Sequence, residues 1–259
     1  MAGRLTEGIA WRRKWERGAA AAKGTNMVED IRLQALYPFL SGQRPDAAAM
    51  EAALCASVRE KAACHAQAFE AFFSTEGRAV VAAARTIAAT YRNGGKLLAM
   101  GNGGSSCDAA HVAVEFLHPV TAGRPALPAV NLTNDIAMLT AVGNDVGFDH
   151  VFLRQIIAHG RPGDSLIGFS TSGNSANLLL AFRKAREMGL KTIGLCGGSG
   201  GGMAAAGLDH CLVVPTDSIH RVQECHVAIY HMLWDLAHAL LADDRGGGAE
   251  RSALEEARR

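Results

Sequence analysis

Four stretches of the chain carry side chains whose types and spacing suit a defined chemistry. Met100-Gly101-Asn102-Gly103-Gly104-Ser105-Ser106 sets glycines beside an amide and two hydroxyls. Ser170-Thr171-Ser172-Gly173-Asn174-Ser175 gathers four hydroxyls around one glycine. Glycine lets a backbone turn tightly and approach a ligand closely, and a helix that starts next to it aims free N–H groups at an anion. Hydroxyls and N–H groups without a lysine suit a phosphate monoester. No GxxxxGK[ST] motif occurs, which argues against a nucleoside triphosphate. His111 and Glu115 are four apart, so they share one face of the helix that the first glycine loop opens. Further on come Gln223, Glu224, His226, His231, Asp235 and His238. Gln223 and His231 lie about 80° apart around a helix axis. His111, Glu115, Gln223 and His231 could therefore form a four-coordinate metal site. By spacing alone, His226 or His238 would serve as well as His231.

These residues need elements to hold them. After Asn93-Gly94-Gly95, short apolar runs alternate with helical stretches. The runs are 96–101, 127–133, 165–170, 191–196 and 210–214. The helical stretches are 105–117, 134–142, 148–159, 175–189, a short one near 202–206, and a long one at about 219–242. This alternation predicts an α/β fold with a doubly wound, five-stranded parallel sheet flanked by helices. Ligands of such sheets sit at the carboxyl ends of the strands, where both candidate loops fall. Upstream, the alanine-rich segment from Ala47 to about Arg92 predicts two helices broken near Ser74-Thr75-Glu76-Gly77. Those helices are expected to pack on the sheet or in an oligomer. The run Cys196-Gly197-Gly198-Ser199-Gly200-Gly201-Gly202 reads as a flexible connection rather than a third phosphate loop, because so many glycines pre-organise nothing.

Composition bounds the function. The chain has 259 residues with 26 Lys+Arg against 25 Asp+Glu, which gives no general electrostatic reason to hold nucleic acid or an anionic membrane. It contains no apolar run long enough to span a bilayer and no signal-peptide pattern. The six cysteines form no CxxC and read as reduced thiols, so a cytoplasmic location is expected. Residues 1–45 read as a peripheral extension. Its Trp11-Arg12-Arg13-Lys14-Trp15 patch fits a solvated leader better than a nucleic-acid contact, and Met27 is a second candidate start. Residues 46–243 read as the functional domain and 244–259 as a disordered tail.

The motifs also resemble a known family. Gly101-Asn102-Gly103-Gly104-Ser105 with Asp108-Ala109-Ala110-His111 and Glu115 is similar to the opening signature of the bacterial phosphoheptose isomerases of the sugar-isomerase (SIS) superfamily. Gly143-Asn144-Asp145 with Gly147-Phe148 resembles their middle motif. Ser170 to Asn177 resembles their phosphate loop, and Arg221-Val222-Gln223-Glu224 with His226 and His231 the start of their last helix. The resemblance runs from about residue 50 to 242, in order. It implies the SIS fold, a homotetramer with sites between subunits, and conversion of sedoheptulose 7-phosphate to glycero-manno-heptose 7-phosphate. It implies that Ser105, Ser170, Ser172 and Ser175 hold the phosphate. Asn102, Thr171 and Asp135 would contact the sugar, with Gly103, Gly104 and Gln223 lining the site. Zinc would be bound by His111, Glu115, Gln223 and His231, with Glu115 and His231 as the acid–base pair. The resemblance thus selects His231, which spacing did not. The chain departs from the family pattern after Glu115: Phe116-Leu117-His118-Pro119 replaces a Leu-Thr-Gly-Arg-like stretch, with Pro119 at the position of a loop arginine. His220 stands where some members carry an aspartate. Arg124-Pro125-Ala126-Leu127-Pro128-Ala129 is closer to non-catalytic relatives that bind a replication initiator. Such a binding role is the alternative reading, but those relatives tend to lack the carboxylate at the position of Glu115.

Overall fold

The computed structural model describes residues 46–256, with side chains to 242. The expected extension 1–45 lies outside these residues. The chain divides into two units, Met1–Ala63 and Cys64–Arg259. The described part of the first is helical and largely exposed. The second holds all five strands and every candidate site residue.

The elements in chain order are α1 (Ala47–Arg92), β1 (Leu97–Gly101), α2 (Gly104–Leu117), β2 (Ala129–Asn131), α3 (Ile136–Asp145), a 3-10 turn (Phe148–His150), α4 (Val151–His159), β3 (Ser165–Ser170), α5 (Ala176–Glu187), β4 (Lys191–Gly197), α6 (Gly201–Ala205), β5 (His210–Val214) and α7 (Ile219–Glu256). The strands form one sheet in the order β2-β1-β3-β4-β5, and every pairing is parallel. The expected doubly wound α/β sheet is therefore present.

Strands β1 and β3 are buried at every position, which is why they read as unbroken apolar runs. Their alternating side chains feed two cores. Leu97, Ala99, Ile167 and Leu195 face Ile87 of α1, Val112 and Phe116 of α2, and Ile229 and Leu233 of α7. Leu98, Met100 and Leu166 face Phe152 and Ile156 of α4, Leu178 and Phe182 of α5, and Met203 of α6. Helices thus cover both faces, and α2 and α7 share one of them.

Three expectations need correction. The break near Ser74–Gly77 does not occur, and α1 is one helix of 46 residues. The Ser74 and Thr75 hydroxyls donate to the helix carbonyls of Ala71 and Phe72, so these residues join the helix rather than end it. An exposed helical glycine such as Gly77 costs only about 1 kcal/mol, too little to break a helix packed on a core. Strand β2 is shorter than its apolar run, because the Asn131 side chain accepts from Thr133 N at 3.0 Å and turns the chain out. Helix α7 continues to Glu256 rather than ending near 242, so its backbone runs through the segment expected as a tail from 244. The side chains of that segment lie outside the described residues. No described helix is long and apolar enough to cross a membrane.

Candidate active site

The strand order reverses direction between β1 and β3: β2 lies outside β1, while β4 and β5 follow β3. A doubly wound sheet opens its ligand crevice at such a point, beyond the carboxyl ends of the strands. Gly101 pairs with Phe169 in register, so the loops after β1 and β3 leave the sheet side by side. The Asn102 and Asn177 amides join them, each donating to the other's oxygen at 2.9 and 3.0 Å.

Glycine is required at several turns. A Cβ on Gly101 would lie 2.2 Å from the Ser105 carbonyl oxygen, and Gly103 has φ +54°. These two let α2 begin immediately beyond β1, with Ser105 buried in its first turn. In the second loop Ser170 Oγ lies 3.0 Å from Ser175 Oγ, and Ser172 Oγ accepts from Asn174 N. Ser172 is exposed at the crevice mouth, while Thr171 and Ser175 are half-buried. Asp135 caps α3 by accepting from Met138 N at 2.9 Å and is otherwise exposed beyond the end of β2.

The glycine run after β4 is not a free connection. Gly197 N donates to Thr171 O, Gly202 N to Asn174 Oδ1, and Met203 N to Gly173 O. Gly173 has φ +65°, and a Cβ there would lie 2.0 Å from the Gly200 oxygen. Sequence reading saw flexibility, but the absence of side chains lets this run pack its backbone beneath the hydroxyl loop.

Helices α2 and α7 run in parallel and in step. Gln223 lies against Gly104, where an added Cβ would meet its Nε2 at 2.2 Å. About two turns on along each helix, the His111 and His231 rings sit 5.0 Å apart, edge to face. Trp234 Nε1 donates to the Glu115 carbonyl at 2.7 Å. His111 Nε2 is 3.1 Å from Glu115 Oε1, and ligand atoms of His111, Glu115 and His231 all fall within 4.8 Å of one another. Two imidazoles and a carboxylate, half-buried and convergent, are a donor set that fits zinc with a position left for substrate. Gln223 is two turns away from His231 along α7, beside the glycine loop.

The structure separates the histidines that spacing left equivalent. His226 is 0% exposed, against the Phe169 ring, and burial pushes its pKa down to about 4. His238 is buried and stacks on Phe116. His231 faces the crevice. Burial first, then the His111 charge, holds its pKa below the ordinary value, with Glu115 opposing. Asp108, one turn before His111 on α2, is raised to about 6 by burial, with the His111 charge opposing.

Sequence reading missed Tyr230, Trp234 and Arg124. Tyr230 Oη lies 2.6 Å from His111 Nδ1, and the Arg124 guanidinium sits 4.2 Å above the Trp234 ring. The signal was present: Tyr230 and Trp234 repeat the i, i+4 spacing of His111 and Glu115.

The sequence and the fold are similar to those of known proteins. Residues 63–197 match the SIS domain, which defines the class. The phosphoheptose isomerase of Chlorobaculum parvum is 50% identical over 165 residues, covering 62% of this chain and 78% of its own length. That of Roseiflexus is 44% identical over 170 residues, 66% of this chain and 86% of its own. The solved phosphoheptose isomerase of Neisseria gonorrhoeae superposes with a TM-score of 0.68 at 41% identity, covering 72% of this chain and 99% of its own. The chain belongs to the phosphoheptose isomerase family of SIS-domain proteins.

Proposed function

We propose that the chain is a ketose/aldose sugar-phosphate isomerase that converts D-sedoheptulose 7-phosphate to D-glycero-D-manno-heptose 7-phosphate. The observation that carries this reading is the convergence of Glu115 and His231 on the helices beside the hydroxyl loop, in a member of this family. Residues 46–243 form the isomerase domain in this reading.

Ser105, Ser170, Ser172 and Ser175 hold the phosphate through hydroxyls and nearby helix N-terminal amides. Gly103 and Gly104 bring the backbone close. Asn102, Thr171, Asp135 and Gln223 contact the sugar. From Ser105 to His111 the rise along α2 is about 9 Å, a span that an open-chain sugar phosphate can cover. The Glu115 side chain leans back along the helix toward that substrate.

The reaction moves a proton between C1 and C2 through an enediol. Glu115 takes the carbon-bound proton of the ketose and returns it to the neighbouring carbon. His231 carries protons to and from the two oxygens. Its depressed pKa leaves it neutral near pH 7, free to accept a proton and then give it back. Fixing the phosphate aligns the reacting carbons and removes much of the entropy cost. Zinc, held by His111, Glu115, Gln223 and His231, would supply a Lewis acid to polarise the carbonyl oxygen.

The protein acts in this reading as a cytoplasmic homotetramer with a small-molecule substrate, and with neither nucleic acid nor membrane as partner. The decisive assay incubates the purified protein with sedoheptulose 7-phosphate and follows the aldose product. Product formation is expected. A folded protein that binds the sugar phosphate and forms no product would instead be a non-catalytic binder.

A further inference from the structure

Two aromatic residues of α7 mirror the two chemically active residues of α2. Tyr230 and Trp234 are four apart, as are His111 and Glu115, and the two helices run in step. Each aromatic reaches one of the pair with its polar tip. Tyr230 Oη is 2.6 Å from His111 Nδ1, and Trp234 Nε1 donates to the Glu115 main-chain oxygen at 2.7 Å.

Both contacts meet a specific need. His111 turns Nε2 toward Glu115 Oε1, so whatever holds Nδ1 fixes the ring's direction. Tyr230 is 1% exposed, and a phenol hydroxyl at this distance can donate to a bare Nδ1 or accept from Nδ1–H. In a continuing helix the Glu115 carbonyl would accept from the amide of residue 119. That residue is Pro119, which has no N–H, and α2 ends at Leu117. The Trp234 indole supplies the missing donor. Trp234 is held in turn: Arg124 covers its ring and pairs with Asp235 on the same helix.

We propose that Tyr230 and Trp234 are positioning residues of the active site: Tyr230 orients the His111 ring, and Trp234 holds the last turn of α2, and with it Glu115. The inference rests on the isomerase reading above for its kinetic arm, but its metal arm stands apart from it.

The test uses full-length wild type, Tyr230→Phe, Trp234→Phe and His111→Ala. Each Phe variant keeps an aromatic ring and deletes the polar tip. Thermal unfolding identifies the folded variants. Two quantities are measured: kcat and KM for sedoheptulose 7-phosphate, and zinc affinity by competition with a chromophoric chelator. Outer-shell partners of metal ligands are commonly worth about 10–100-fold in affinity or activity. The expected result is a fall of that size in kcat for both Phe variants with KM nearly unchanged, and a fall of about tenfold or more in zinc affinity for Tyr230→Phe. A loss confined to KM, or wild-type kcat and wild-type zinc affinity in both variants, would overturn the inference. If the wild type does not isomerise the sugar, the functional reading fails, and zinc affinity alone decides: weakened binding in Tyr230→Phe supports the inference and unchanged binding overturns it. A wild type that binds zinc no more tightly than His111→Ala overturns it as well.

Discussion

His226 and His231 lie five residues apart on one helix, yet the fold gives them opposite surroundings, and the consequence can be measured. His226 is fully buried and its pKa is pushed down to about 4. In the unfolded chain it would titrate near the ordinary histidine value of about 6.5. The sign follows from the depressed value. Above pH 6.5 the residue is neutral in both states and adds no pH dependence. As pH falls below 6.5 the unfolded chain takes up a proton that the folded chain refuses, so stability drops until the folded pKa is reached. The gap is worth about 3 kcal/mol at most, and one unit below 6.5 somewhat under half of that is already lost. Urea unfolding of wild type and His226→Leu at pH 7.5, 5.5 and 4.5 tests this. The Leu variant should lose less stability between pH 7.5 and 4.5, by about 2–3 kcal/mol, while retaining kcat at pH 7.5. His231→Ala should keep nearly all of the wild-type pH slope and lose turnover. Parallel slopes in wild type and His226→Leu would refute the burial argument. An inactive but folded His226→Leu beside an active His231→Ala would show that the register of α7 against the crevice had been misread.

Further outcomes follow from the same geometry. Glu115→Gln should abolish isomerisation, by about 10²–10⁴-fold, while a substrate-induced thermal shift persists, because the amide keeps the shape but cannot take a proton. Ser172→Ala or Ser175→Ala should raise KM more than it lowers kcat, since the phosphate end does not react. The loss of one charge-assisted hydrogen bond is worth about 1.5–3 kcal/mol, or roughly 10–150-fold, and steady-state kinetics read it directly. Gly173→Ala should weaken substrate binding and lower the melting temperature together. Its Cβ would strike the Gly200 oxygen at a φ that costs a non-glycine residue about 1–2 kcal/mol. Light scattering should give a tetramer at micromolar concentration, and a monomer would contradict the proposed assembly.

What was legible in the sequence, and what was not, divides along a physical line. The sheet was legible because a parallel strand buried on both faces must be apolar along its length, as in Leu97–Gly101 and Ser165–Ser170. The loops were legible because glycine is demanded by backbone geometry: Gly101 and Gly173 would clash with carbonyl oxygens if they carried a Cβ. Such requirements are local, so they leave a mark on residue type. The choice among His226, His231 and His238 was not legible from spacing, because it depends on which arc of α7 faces α2, and that is set by packing against Phe169 and Phe116. Only the family resemblance pointed to His231. The continuity of α1 was missed for a similar reason: serine, threonine and glycine are weak helix formers, and packing outweighs that preference. Tyr230, Trp234 and Arg124 were missed because their partners are tertiary. Tyr230 and Trp234 each reach a residue 119 positions away in the chain, and Arg124 pairs with Asp235 at a separation of 111. Yet the departures from the family pattern pointed toward them. Pro119 stands where the family pattern this chain resembles often has an arginine, and having no N–H it cannot donate to the Glu115 carbonyl. A carbonyl without that donor, beside the proposed catalytic carboxylate, needs another partner or its cost is borne, and here the partner is Trp234 on another helix. A departure from a motif therefore marks a place to look for a compensating residue in space, and in this chain that search leads from Pro119 to Trp234.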